Sequence, residues 1–209
     1  LKGKPGIGEG MNKAIEKFAD ANDLHELANA YDWNEEAKLG KGKEQVDRLT
    51  KLVAIFEDLN FAGNRADGDD LLGDAYEYLM RNFATESGKS KGQFYTPAEV
   101  SRVMAKVIGL GSATDRKQTI HDPTCGSGSL LIKAHDEAKH ATGLDLALYG
   151  QEMDVATAAL ARMNMILHDC ATAEIHRDNT LSSPHFISKK TGQLETFDFV
   201  VANPPFSTK

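Results

Sequence analysis

Thr119-Ile120-His121-Asp122-Pro123-Thr124-Cys125-Gly126-Ser127-Gly128-Ser129-Leu130 is the stretch that decides the fold. It reads as a strand end, a glycine turn and a helix start, the helix running from Leu130 to about His140. Gly126 and Gly128 tolerate positive φ and let a ligand approach the backbone closely, and Ser129 is positioned to cap the helix. Downstream, Leu146-Ala147-Leu148-Tyr149-Gly150 reads as the next strand and delivers Gln151-Glu152-Met153-Asp154. An acidic residue about 20 residues beyond a glycine-rich turn can reach a ribose diol, and Glu152 follows Gly128 at about that interval. The turn lacks the third glycine of a dinucleotide fingerprint, which tilts against a nicotinamide cofactor. Asp122-Pro123 suits a ligand with no pyrophosphate to cradle.

A third strand end closes the pattern. The apolar run Phe197-Asp198-Phe199-Val200-Val201-Ala202 enters Asn203-Pro204-Pro205-Phe206. Two consecutive prolines lack N–H donors and fix φ, so the strand must stop there and turn outward. This leaves a side-chain amide, backbone carbonyls and an aromatic ring at the carboxyl edge of the sheet, where open α/β sheets bind ligands. Those groups together suit a flat, amine-bearing ring such as a nucleobase.

The order of these motifs resembles the amino-methyltransferases that use S-adenosylmethionine to modify adenine in DNA, and more narrowly the modification subunit of type I restriction-modification systems. The resemblance rests on Gly92-Gln93-Phe94-Tyr95-Thr96-Pro97, Asp122 to Gly128, Gly150-Gln151-Glu152, Met163-Asn164-Met165-Ile166-Leu167-His168 and Asn203-Pro204-Pro205-Phe206. Asp70-Leu71-Leu72-Gly73-Asp74-Ala75-Tyr76-Glu77-Tyr78-Leu79 reads like that family's entry into its catalytic domain. It covers residues 67–209; residues 1–66 share only a helical character.

The implied fold is an α/β, Rossmann-like S-adenosylmethionine-dependent methyltransferase sheet preceded by a small helical N-terminal domain. The expected domains are 1–66 and 67–209. Fewer strands can be read than that family's sheet contains, and the sequence starts at Leu1, so a truncated sheet is expected. By resemblance, Asn203, Pro204, Pro205 and Phe206 form the catalytic motif. Gln93, Phe94, Tyr95, Thr96 and Pro97 border the methionine part of S-adenosylmethionine, with the loop of Asp122, Thr124, Gly126, Ser127 and Gly128. Glu152 takes the ribose hydroxyls, and Asp178 lies near the adenine. The implied partners are double-stranded DNA, a sequence-reading specificity subunit (two modification subunits to each) and a restriction subunit, in the cytoplasm of a bacterium or archaeon. No metal site is implied.

Helices are expected over residues 11–30, 43–60 and 69–84. Val46, Leu49, Leu52, Val53 and Phe56 form one apolar stripe, and Leu71, Leu72, Ala75, Leu79 and Phe83 another. Gly63 to Asp70 is a polar linker and a domain boundary. Thr96 reads as the cap of a further helix with Pro97 at its first position, striped by Val100, Val103, Met104, Val107 and Ile108. Asp154 to His168 is the helix after the second strand. Strands near 117–121, 146–150, 173–177 and 197–202, alternating with helices, imply a parallel sheet.

Composition bounds the rest. No apolar stretch reaches the length of a membrane span, and no secretory signal is visible. Cys125 and Cys170 give neither a disulfide framework nor a metal spacing. A net charge of −7 at pH 7 is unusual for a protein that grips DNA unaided, so either the basic surface is local or a partner supplies the grip.

Each motif has a plainer reading. Asn203-Pro204 could be an ordinary strand-ending turn, Glu152 a solvated charge, Asp178 a turn residue, and Gln93 to Pro97 merely a helix cap. Cys125, Met163 and Met165 read as packing residues, as do the scattered His121, His168 and His176, and Lys189-Lys190 reads as a solvated loop. Three other functions use the same logic: methylation of a protein glutamine amide, where Phe206 is usually Tyr; methylation of cytosine N4, which Asn203 disfavours; and a non-catalytic S-adenosylmethionine-binding assembly module.

Overall fold

The computed structural model describes residues 2–22, 24–28, 31–57, 75, 76, 78, 79, 82 and 96–204. The chain divides into two compact units, Leu1–Asp69 and Asp70–Lys209.

The first unit is helical: α1 (Ile7–Ala21), α2 (His25–Ala28), α3 (Glu36–Leu39) and α4 (Lys43–Glu57). The helix expected over 11–30 begins earlier and is broken. Asn22 leaves the helical conformation and its side-chain amide donates to the Phe18 carbonyl at 2.8 Å, a local bond that competes with helix continuation. Gly8 is where α1 meets the Trp33 turn: a Cβ there would lie 2.3 Å from the Trp33 carbonyl oxygen. Asn12 fixes the same turn by donating to Asp32 at 2.7 Å and accepting from the Trp33 N–H at 2.9 Å. On α4 the expected stripe buries Leu49, whereas Phe56 at its end is half exposed.

The second unit holds a parallel sheet. Its strands are β1 (Thr119–Asp122), β2 (Ala147–Glu152), β3 (Glu174–Arg177) and β4 (Phe199–Val200), in the order β3-β2-β1-β4. Tyr149 pairs with His121 on one side and Glu174 on the other, and Ile120 pairs with Phe199. Helices α5 (Ala98–Val107), α6 (Ser129–Thr142) and α7 (Val155–Leu167) surround the main core. Ile120, Leu148 and Ile175 from the strands, with Val201 just past β4, meet Leu130, Leu131, Ala134, Ala138, Ala161 and Met165 from the helices there. β4 is short and is tied to β1 by side chains. The Asp198 carboxylate accepts from the Thr119 N–H at 2.9 Å and its hydroxyl at 3.0 Å, and the Val201 N–H donates to the His121 carbonyl at 2.9 Å.

Rings carried by the β3–β4 connection pack against His121, Tyr149 and His176 of the strands. Phe186 meets His121, Tyr149 and His176 edge-on, and Phe197 stacks on His121 with centroids 4.2 Å apart. His176 and His185 stack at 3.4 Å. Gln151, fully buried, holds this connection: its amide donates to the Ser183 carbonyl and accepts from the His185 N–H, both at 2.9 Å. His121 and His176 both pack as rings here.

Three sequence expectations need correction. Helix α5 buries Ser101 and Ala105, while Val100, Val103 and Val107 of its expected stripe are exposed, Val107 at 79%. The helix lies on α6 through its small residues, and only Met104 and Ile108 of the stripe reach the core. The helix expected over 69–84 falls largely outside the described residues; within it Tyr76 is buried and donates to the Leu160 carbonyl at 2.9 Å, whereas Leu79 of the expected stripe is exposed. Neither expected serine or threonine cap forms. Gly128 and Pro97 occupy the cap positions of α6 and α5, with Ser129 already inside its helix.

Candidate functional site

All four strands are parallel, so their carboxyl ends share one edge. Asp122 ends β1, Glu152 ends β2, Asp178 follows β3, and Asn203 follows β4. The site is built at that edge, as in other open parallel sheets.

The turn after β1 is held by bonds within the chain. The Cys125 N–H donates to the Gln151 carbonyl at 3.0 Å, and the Gly128 N–H to the Cys125 carbonyl at 2.8 Å. Gly126 and Gly128 have φ of +55° and +80°, a region that favours glycine. A Cβ on Gly128 would lie 2.5 Å from the Met165 methyl carbon. From α7, the fully buried Asn164 donates to the Ser127 carbonyl at 3.0 Å. Asn164 belongs to a stretch noted for its resemblance, yet its role was not legible: a helical Asn gives no sign of which distant carbonyl it will satisfy.

Two carboxylates flank the loop. Asp122 is buried and accepts from the Thr124 N–H at 2.9 Å. Burial raises its pKa to about 7, the hydrogen bonds from Thr124 oppose the rise, and the charge of Glu152 adds to it. Glu152 uses one oxygen to accept from the Gly126 N–H at 3.0 Å and the other to accept from the Asp154 N–H at 2.9 Å. Asp154 in turn caps α7 through the Thr157 N–H at 2.9 Å. A carboxylate has about four acceptor directions, so each Glu152 oxygen retains one for an incoming hydroxyl.

The Asp178 N–H donates to the Glu152 carbonyl at 3.0 Å, while its carboxylate accepts from the Asn179 N–H at 2.8 Å. The Thr180 hydroxyl donates to the Pro123 carbonyl, joining this loop to the glycine loop. Sequence reasoning missed Thr180, because nothing local distinguishes a loop threonine that bonds far along the chain.

The Asn203 amide nitrogen donates to the hydroxyl oxygen of the buried Thr96 at 3.3 Å. Pro204 is exposed. Gln93, Phe94, Tyr95, Pro205 and Phe206 lie outside the described residues. Neither cysteine is an activated nucleophile. Burial pushes the Cys125 thiol well up and the Cys170 thiol to about 12, although Cys170 lies 3.6 Å from Nδ1 of His135, whose other nitrogen meets Asp145.

These residues fit an adenosyl cofactor better than a dinucleotide. The strand-end Glu152 suits a ribose diol. The turn is tight and packed against Met165, and two acidic side chains, Asp122 and Glu152, flank it with no basic side chain among the described residues bonded to either, which disfavours a pyrophosphate.

A parallel α/β sheet with a glycine turn after β1 and an acidic residue at the end of β2 is common to nucleotide-binding folds, and solved structures place this one with the S-adenosylmethionine-dependent methyltransferases. A protein from Listeria monocytogenes assigned to class I of that group shares the fold, with a TM-score of 0.56 at 16% identity, over 92% of this chain and 55% of that one. The methyltransferase subunit of a type I restriction-modification system from Streptococcus thermophilus matches with a TM-score of 0.80 at 33% identity, over 96% of this chain and 41% of that one. The type I restriction enzyme MpnII methylase subunit of Mycoplasma pneumoniae is 36% identical over 182 residues, which are 82% of this chain and 32% of the relative. The family described as N-6 DNA methylase matches residues 67–209. The chain belongs to that family, and it spans about a third of the length of the curated relative it matches.

Proposed function

We propose that this chain is part of the modification subunit of a type I restriction-modification system, which methylates the N6 amine of adenine in DNA with S-adenosylmethionine as donor. Residues 1–66 form a helical domain for assembly or DNA clamping, and residues 67–209 the amino-terminal part of the catalytic domain. The observation that carries this reading is the position of Asn203-Pro204 on the same sheet edge as the glycine loop and Glu152. No observation favours a glutamine side chain as substrate, and the family match is to DNA methylases.

The adenine amine is a weak nucleophile because its lone pair is delocalised into the ring. The Asn203 side-chain carbonyl and the Pro204 backbone carbonyl each accept one of its N–H groups. That pulls the nitrogen toward tetrahedral geometry and localises the lone pair. S-adenosylmethionine, when bound, supplies an electrophilic methyl group and a good leaving group. The chain's own contribution is positioning and fixed dipoles. Phe206 stacks on the base. Glu152 takes the ribose hydroxyls, and the Asp122 to Gly128 loop, with Asp178, holds the remainder of the cofactor alongside Gln93, Phe94, Tyr95 and Pro97.

A duplex base cannot reach such a site in place. It must flip out, at a cost of a few kcal/mol. The net charge of −7 fits a division of labour in which a specificity subunit reads the sequence and supplies much of the phosphate contact, with a restriction subunit completing the system.

The test is methyl transfer from labelled S-adenosylmethionine to unmethylated DNA by the full-length protein with its specificity subunit, the product being digested to nucleosides. Label is expected in N6-methyladenosine, and Asn203→Ala should lower the rate by roughly 10²–10³-fold, the cost of losing one such polar contact to the reacting group. Label absent from DNA while the cofactor still binds would overturn the proposal.

A further inference from the structure

We infer that Thr96 is a positioning residue for Asn203: its hydroxyl accepts from the amide nitrogen, which leaves the amide oxygen as the end available to the substrate amine. This rests on the adenine-methylase reading above and assigns the hydroxyl of Thr96 to the amide rather than to the cofactor.

The two ends of an asparagine amide have nearly the same shape and opposite hydrogen-bonding character. The chemistry needs the oxygen end forward, because the adenine amine presents N–H groups. A flipped amide would set N–H against N–H and lose the contact that localises the lone pair. Something behind Asn203 must therefore accept a hydrogen bond from the nitrogen end. Thr96 Oγ1 lies 3.3 Å from that nitrogen, and Thr96 is 9% exposed. Thr96 lies one residue before the N-cap of α5, which is Pro97. The bond also spans the chain: Thr96 sits before α5 and Asn203 after β4, so it sets the amide against a second element of the same unit. Loss of one such neutral hydrogen bond should cost up to roughly tenfold in rate.

The experiment compares wild type, Thr96→Val and Thr96→Ser in the full-length protein with its specificity subunit, reading kcat on unmethylated DNA and the Kd for S-adenosylmethionine separately. Valine keeps the shape and removes the acceptor; serine keeps the acceptor. The inference expects Thr96→Val to lower kcat roughly tenfold at unchanged cofactor Kd, and Thr96→Ser to retain near-wild-type kcat. In an Asn203→Ala background Thr96→Val should have no further effect, since the group it orients is gone. A raised cofactor Kd with normal kcat at saturation, or an additive loss in the Asn203→Ala background, would overturn the inference. So would an unchanged Thr96→Val enzyme. If Thr96→Val does not fold, Thr96→Cys against Thr96→Ser makes the same comparison with a smaller change, and equal kcat in that pair would overturn the inference too. An inactive wild type would instead sink the adenine reading, and this inference with it.

Discussion

Gly128 carries two constraints, and their sizes decide which one a substitution would meet. The contact with Met165 is close, but it involves the end of a flexible side chain that can swing aside. The φ of +80° cannot be escaped, because the residue sits between the glycine turn and α6. A residue with a Cβ pays about 1–2 kcal/mol in that region. Gly128→Ala should therefore destabilise the protein by about that amount in urea unfolding, and a simultaneous Met165→Ala should not restore it. Asp122 offers a second test at this scale. Its folded pKa of about 7 lies above the usual value of 3.8, so folding favours the protonated form. Its stabilising contribution is whole below about pH 4 and is lost as pH rises toward 7. His121 works in the opposite sense: burial lowers its pKa to about 4, so its contribution grows as pH rises from about 4 to 6.5. The Asp122 share is isolated by comparison. Wild type should lose more stability than Asp122→Asn between pH 5 and pH 8, measured by denaturant titration at both.

Among the elements, the β3–β4 connection contributes more than its lack of regular structure suggests. Phe186 is buried, and it touches rings from β1, β2, β3 and Phe197. Phe186→Ala should cost about 3–5 kcal/mol, a loss readable as a lowered urea midpoint at unchanged slope. The connection was opaque in the sequence because its order comes from Gln151 and from rings distant along the chain, with no periodicity of its own. The strands and the turn between Asp122 and Gly128 were legible, since Gly, Pro and apolar runs act locally. Helix faces were less so. On α5 the valines predicted a buried stripe, yet Ser101 and Ala105 face inward, because close approach to α6 rewarded small side chains over apolar ones. The strand-end positions of Glu152 and Asn203 were readable from order and spacing, whereas Thr96 was read as a helix cap and, by resemblance, as a border of the cofactor's methionine part, with no sign of its bond to Asn203. A hydroxyl's local preference says nothing of an amide that arrives from the other end of the chain.

For the whole molecule, charge sets an expectation about partners. On the function proposed above, the net charge of −7 on this chain predicts that residues 1–209 contribute little DNA grip of their own. If the proposed specificity subunit supplies that grip, adding it to the full-length protein should tighten binding by orders of magnitude and steepen its dependence on salt, since new phosphate contacts release counterions. Titrating labelled DNA at several salt concentrations, with and without that subunit, checks this. Tight, salt-sensitive binding by the modification subunit alone would show that it carries its own basic surface.

The bonded glycine loop has a further consequence. The N–H groups of Cys125, Gly126 and Gly128 already have partners, and Glu152 links the loop to the start of α7 through Asp154. Those partners all belong to the chain itself, so the loop's order does not depend on a ligand supplying them. Little conformational entropy is left to lose on association, so differences in affinity between related ligands should reside in how long each stays rather than in how fast it arrives.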